Sequence, residues 1–290
     1  MEISSHQPEN PWDFCPLAMC INLLERDDRL EEATQEFRNA GLRRVVFYRS
    51  SRQPDRDKAI IDSHMACLRY AVDQGVPHVL IFEDDAQFLD GYEANLRRAV
   101  DFMKSRQDWD LFHLGGFIFR KVERVTPHIV RGGIMTVHGY VISQKLAKLA
   151  LEKRPYCSKM SIDLFYHALN GDAAFACVYP PICIQRASPS DGSWDKRKLA
   201  EAGWLGNAQI YTSLDRRDKW RFKQFSLWER SKIEQGLTFF KVWGGVCRSR
   251  LKKMEKQVTL GRLPAIAQYP IGQYKVVELR DNLSESQAKA

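Results

Sequence analysis

The stretch His78–Phe88, HVLIFEDDAQF, decides how the rest of the chain is read. Four apolar residues, Val79, Leu80, Ile81 and Phe82, run directly into three carboxylates, Glu83, Asp84 and Asp85. An unbroken apolar run of this length suits a strand covered on both faces. Carboxylates at its carboxyl end stand where open α/β sheets bind ligands. Three adjacent anions repel one another, so the pattern calls for positive charge. A hard divalent cation, Mn²⁺ or Mg²⁺, carrying phosphates of its own, would supply it. The competing reading is a solvated acidic turn.

Outward from this stretch, strand and helix patterns alternate. Residues 17–23 read as a first strand, followed by a helix in which Asp28 and Glu31 have capping-box spacing and Gly41 marks the end. RRVVFY at 43–48 is a second strand, and residues 59–74 form a helix closed by Gly75. After the acidic stretch come a helix at 92–105 and a short strand at 110–114. A polar, hairpin-like segment leads to GYVIS at 139–143, with Ser143 placed to cap the next helix. A short helix at 161–170 and an apolar strand at 174–179, stopped by Pro180-Pro181, complete the series. This alternation predicts an α/β layer architecture with a mainly parallel sheet over residues 1–198. Residues 199–290 read as a basic, aromatic-rich helical extension with a polar tail.

The 290 residues are 44% hydrophobic and 28% charged, the balance of a globular chain rather than a disordered or membrane-spanning one. No apolar run approaches the roughly 20 residues that cross a bilayer. MEISSHQPENPWDF lacks both the basic start and the apolar core of a secretory signal. The 7 cysteines are scattered without close pairs, which favours reduced core thiols and a cytoplasmic location over disulfides or a zinc ribbon. The net charge of +8 is concentrated between Lys219 and Lys256, where 11 Lys/Arg face 3 Glu. With its Trp and Phe, this segment reads either as a solvated helical face or as a surface for an anionic membrane. No recognition motif for specific nucleic acid accompanies it.

Six segments in order, INLLERDDR (21–29), DSHMACLRYA (62–71), VLIFEDDAQF (79–88), GYVIS (139–143), SIDLFYH (161–167) and VYPPICIQ (178–185) with the later Ser190-Asp191, resemble the family-25 glycosyltransferases. That family includes lipopolysaccharide glycosyltransferases and collagen galactosyltransferases. The resemblance implies a GT-A fold, a nucleotide-sugar donor, UDP-linked by expectation, a divalent metal, and transfer with inversion to an acceptor hydroxyl on a glycan, glycolipid or protein. Glu83 and Asp85 resemble the acid-x-acid metal pair, and strand alternation would put them on one face with Asp84 turned away toward the donor sugar. Asn22, Leu23 and Arg29 match the INL-x5-R start and are expected at the donor; Arg29 reads equally as an exposed ion-pairing residue. His64 matches the family Ser-His, Gln185 the end of the last motif, and Ser190 the Ser-Asp near the nucleotide sugar. Asp163 is the first choice for the general base that inversion requires, with Asp191 the second; a helix N-terminal carboxylate is the other reading of Asp163.

Two positions depart from the family pattern. Ile61-Asp62 replaces Gly-Cys before Ser63-His64, and His138-Gly139 replaces the usual Thr or Ala before Tyr140. His138 reads as a satisfied strand residue and Tyr140 as core. The rival function is a non-catalytic adaptor of the same fold that binds an anionic membrane or nucleic acid through 219–256. A phosphohydrolase is disfavoured, because the acidic stretch lacks the DxDx[TV] pattern.

Overall fold

A computed structural model describes residues 10–156, 161–169, 174–186, 249, 251–260 and 272–279. Its first unit is β1 (Ala18–Leu23), α1 (Asp27–Asn39), β2 (Arg44–Ser50), α2 (Arg56–Asp73) and β3 (His78–Glu83). The three strands are parallel in the order β2-β1-β3. The chain thus steps to one side of β1 and then to the other. That reversal makes the carboxyl ends of β1 and β3 a topological switch point, the place where open α/β sheets bind ligands.

The sheet grows to nine strands through β5 (Leu111–His113), β6 (Phe117–Thr126), β7 (Ile129–Met135), β8 (Gly139–Ser143), β9 (Phe175–Val178) and β11 (Gln273–Glu278). Their order is β11-β2-β1-β3-β8-β5-β9-β7-β6. Six strands run one way, while β11, β8 and β7 oppose them. The result is a mixed α/β fold with a large, mainly parallel sheet flanked by helices.

The apolar run behaves as its composition demands. Val79 and Ile81 enter the core under α2, α4 (Gln144–Lys153) and α5 (Ile162–Leu169). Leu80 and Phe82 enter the opposite core under α1 and α3 (Glu93–Ser105). All four are at most 1% exposed, because each face of β3 meets a helical layer.

Helix stops agree with the sequence. Gly41 and Gly75 sit at φ 77° and 69°, in the left-handed region that glycine enters at no steric cost. The Ser143 hydroxyl accepts the Leu146 N–H and caps α4. The expected capping box at Asp28 does not form. Helix α1 begins two residues earlier, with Arg26 at the N-cap position, and the Asp28 carboxylate is taken by the Arg26 guanidinium.

A second, two-stranded sheet pairs β4 (Ala86–Phe88) with β10 (Cys183–Gln185). It brings residue 185 back over the end of β3. Its seat depends on glycine: a Cβ on Gly115 would overlap the Cys183 carbonyl oxygen, and one on Gly139 would lie 2.7 Å from the Cys183 sulfur. Gly115→Ala is therefore expected to lift β10 away and to lower Tm by several degrees, since the obstacle is backbone that cannot rotate aside. An unchanged melting curve would count against this packing role.

The C-terminal region differs from the sequence expectation in one respect. Gln273–Glu278, within the stretch read as a helical extension, is a strand antiparallel to β2 at the sheet edge. Alternation in QYKVVE carried that possibility, but its partner lies more than 200 residues upstream. Of the basic segment 219–256, only 249 and 251–256 are described. There, Leu251 is buried and Lys153 of α4 donates to Glu255 at 2.8 Å. No helix among the described residues is long and apolar enough to cross a membrane. The described cysteines, 15, 20, 67, 177 and 183, are unbridged.

Candidate functional site

The switch point between β1 and β3 is crossed by a chain of polar contacts that begins in β2. Arg49 donates through Nε to Asn22 Oδ1 at 2.8 Å, and through Nη2 to the carbonyls of Leu23 and Leu24 and to Asp27. Asn22 passes the contact on, with Nδ2 donating to Asp84 Oδ2 at 2.8 Å. Arg29 of α1 donates to Asp84 Oδ1 at 3.0 Å and lies 3.9 Å from Asp85 Oδ2. Four segments distant in sequence are thereby tied together at the strand ends. Burial raises the Asp84 carboxyl above its ordinary range, and the Arg29 guanidinium and the Asn22 amide oppose that rise.

The acidic triplet divides differently from the alternation argument. Strand β3 ends at Glu83, so Asp84 and Asp85 belong to the following turn and both face Arg29. Period-two geometry holds only inside a strand. Glu83 occupies the other flank. Gln185 donates to its Oε2 at 2.8 Å, and His64 Nε2 faces its Oε1 at 3.5 Å. Glu83 is also the most open of the three, with its side chain 23% exposed against 10% and 5% for Asp84 and Asp85. The Asp85 carbonyl accepts the Arg186 N–H, which fastens the turn to the end of β10.

His64 is wholly buried in α2, behind Glu83. Its Nδ1 is 2.8 Å from the Tyr140 hydroxyl, which is 3.0 Å from the Tyr166 hydroxyl. Burial raises both phenols, so they stay protonated and able to donate. Tyr140 is core, as its sequence context implied, yet its hydroxyl belongs to this polar column. His138 is also buried and hydrogen-bonded, to the Cys183 carbonyl at 3.1 Å.

Asp163 stands in the first turn of α5, half-buried, with Oδ1 accepting the Thr136 N–H at 2.7 Å. Its carboxyl is pushed up to about 6, first by desolvation and then by the negative charge of Glu83. Thr136 holds φ 78°, a strained conformation for a β-branched residue. Its carbonyl is pinned as well, by His113 Nδ1 at 2.9 Å. Burial drives His113 down to about 3, so it is a neutral donor there.

Among the sequence-derived candidates, Asn22, Leu23, Arg29, His64, Glu83, Asp84, Asp85 and Gln185 meet around this switch point, and Glu83 acts electrostatically on Asp163. Ser190 and Asp191 lie outside the described residues. Arg49, Thr136 and Tyr166 did not emerge from the sequence. Arg49 was within reach of the strand-end rule, since it stands near the carboxyl end of a parallel strand. The other two carry no local signal.

The charge balance bears on a metal. Among the described residues no trio of His, Cys, Asp and Glu forms a cation cage. A cation that arrives with substrate phosphates needs only one or two carboxylates. Arg29 offsets part of the triplet. Glu83 and Asp85, on the two flanks of the strand end, are the carboxylates that would be offered to such an ion. A separate cavity of about 410 Å³ lies at the amino ends of β1 and β2, lined by Trp12, Arg43, Arg44 and Tyr70 among others, away from these groups.

No protein-family model and no curated relative matches the chain. Solved structures that resemble it include a glycosyltransferase involved in glycosylation of the major capsid of PBCV-1, at 10% identity and TM-score 0.31, covering 53% of this chain and 74% of that one. Another is a UDP-glucose pyrophosphorylase complexed with UDP-glucose, at 10% identity and TM-score 0.41, covering 68% and 81%. Neither likeness identifies a substrate or a site residue for this chain.

Proposed function

We propose that this chain is a glycosyltransferase that moves a sugar from a nucleotide-sugar donor, UDP-linked, to an acceptor hydroxyl with inversion. The observation that carries the reading is a carboxylate triplet at the switch point together with a separate half-buried carboxyl, Asp163, that feels the charge of Glu83 and is raised toward neutrality. Two carboxyl groups with divergent environments suit a division between binding and proton transfer.

Glu83 and Asp85 would hold Mn²⁺ or Mg²⁺, which when bound neutralises the departing diphosphate. Gln185 holds the Glu83 carboxylate and His64 faces it. Arg49 and Arg29 keep the strand ends and the acidic turn in register, leaving the edge around Asn22 and Leu23 to face the nucleotide. Asp163 takes the proton of the acceptor hydroxyl, and the Thr136 N–H fixes the direction of its lone pairs. Asp191 and Ser190 remain sequence-derived candidates at the donor. The acceptor is a glycan, glycolipid or protein hydroxyl, and residues 219–256 would bring the enzyme to an anionic membrane if the acceptor is lipid-linked.

Thermal-shift screening of nucleotide sugars with and without Mn²⁺ tests the reading. A ligand at 100 times its Kd stabilises by about 2.7 kcal/mol, so the true donor should raise Tm visibly. Asp85→Asn is expected to remove the Mn²⁺-dependent part of that rise. If no nucleotide sugar shifts the melting curve and Asp85→Asn behaves as the parent, the adaptor reading takes over.

A further inference from the structure

We infer that His64 is a positioning residue for Glu83, and that the buried Tyr140–Tyr166 hydroxyl pair sets its orientation and so tunes the affinity of the acidic site for a divalent cation. The inference rests on the proposed role of Glu83. It adds two phenols and one imidazole that need not touch the donor or the acceptor.

The carboxylate beside Nε2 favours one direction for the hydrogen bonds around His64. The nitrogen facing the Glu83 carboxylate, Nε2, carries the proton, since a carboxylate can only accept. Nδ1 is then the acceptor, and among the described residues its hydrogen-bond partner is the Tyr140 hydroxyl at 2.8 Å. Tyr140 must donate to it, so its oxygen is left to accept from Tyr166 at 3.0 Å. Every proton in the column points toward Glu83. Removing a hydroxyl would let the imidazole adopt the other tautomer and withdraw the N–H from the carboxylate.

The elements explain why the column is rigid. His64 is fixed in the middle of α2, Tyr140 in the center of β8 beside β3, and Tyr166 in α5 against the same sheet face. All three side chains are at most 1% exposed. The ring of His64 also lies nearly parallel to that of Tyr140, with centroids 5.8 Å apart. At 3.5 Å, Nε2 stops short of a hydrogen bond to Glu83 and has no other partner, a buried donor with one acceptor in view. A small inward shift of Glu83 would complete the contact. Gln185 already holds the opposite oxygen of the same carboxylate. Glu83 thus has Gln185 bonded to one oxygen and His64 Nε2 aimed at the other, the kind of arrangement by which partners of a metal-binding carboxylate raise affinity.

The test is direct Mn²⁺ binding by the full chain in the presence of UDP, followed by titration calorimetry or by the EPR signal of free Mn²⁺. Tyr140→Phe is expected to weaken Mn²⁺ binding by about 10–100-fold, and Tyr166→Phe by less in the same direction. His64→Leu should lose as much as Tyr140→Phe, and His64→Gln, whose amide can still reach toward Glu83, should recover part. In the His64→Leu background, Tyr140→Phe should add nothing, because its effect passes through the imidazole. Melting curves without metal, taken for each variant, separate this from general loosening. Parent-like affinity in Tyr140→Phe and His64→Leu, or additive losses in the double variant, would overturn the inference alone. Failure of the parent chain to bind Mn²⁺ would overturn the metal reading and this inference with it.

Discussion

Asp163→Asn should lower kcat by about 10²–10⁴, the usual contribution of a positioned general base, while raising Tm at pH 7.5 by a few degrees. The two effects have one cause. The folded-state carboxyl is raised from an ordinary value of 3.8 to about 6 by burial and by Glu83. Between those values the folded chain holds a proton that the unfolded chain has released. Stability therefore falls as pH rises through this window, and the penalty is complete above about pH 6. Asn keeps an oxygen for the Thr136 N–H and removes the charge, so the penalty disappears together with the base. Activity of the parent should decline below about pH 6 as Asp163 takes up its proton, and the residual activity of Asp163→Asn should lack that limb. A variant that melts lower than the parent at pH 7.5, or retains full kcat, would remove Asp163 from the base role.

Asp62→Ala should cost about 3–5 kcal/mol and lower Tm by about 5–15 °C. Asp62 is fully buried in α2 and accepts from Arg154 Nε at 2.8 Å, with Arg154 Nη2 and Lys58 as further partners. Arg154, in the short turn that follows α4, is 1% exposed. Removing the carboxylate strands a guanidinium in a low-dielectric interior, which costs more than the pair itself contributes. Asp62→Leu combined with Arg154→Met should therefore melt higher than either single variant. If the singles lose little and the double loses their sum, the charges are solvated and the ion pair does not stabilise α2 against α4. This position is one of the two that depart from the pattern the sequence resembles, and its carboxylate is taken up by Arg154.

Local chemistry made much of the scaffold legible. Val79–Phe82 announced a strand covered on both faces because no polar residue interrupts it. Gly41 and Gly75 announced helix ends because only glycine enters the left-handed region freely. Ser143 announced a cap because its hydroxyl reaches the third residue on. Asp28 misled, since an arginine two residues before it competes for the same carboxylate.

What the amino-acid order settled without help was the main run of strands and helices through β9, the short strands β4 and β10 excepted, and the gathering of acidic residues at the end of β3, because propensity, capping and the two-residue pleat act over a few neighbours. Pairing across long separations decided the rest. Tyr140 meets His64 only because β8 lies antiparallel beside β3, Gln185 reaches Glu83 only because β10 folds back on β4, and Gln273–Glu278 joins the sheet only beside β2. No local preference encodes those registers. They follow from which buried faces fit together, and with them follows the division of the triplet into Asp84 and Asp85 on Arg29 and Glu83 on His64.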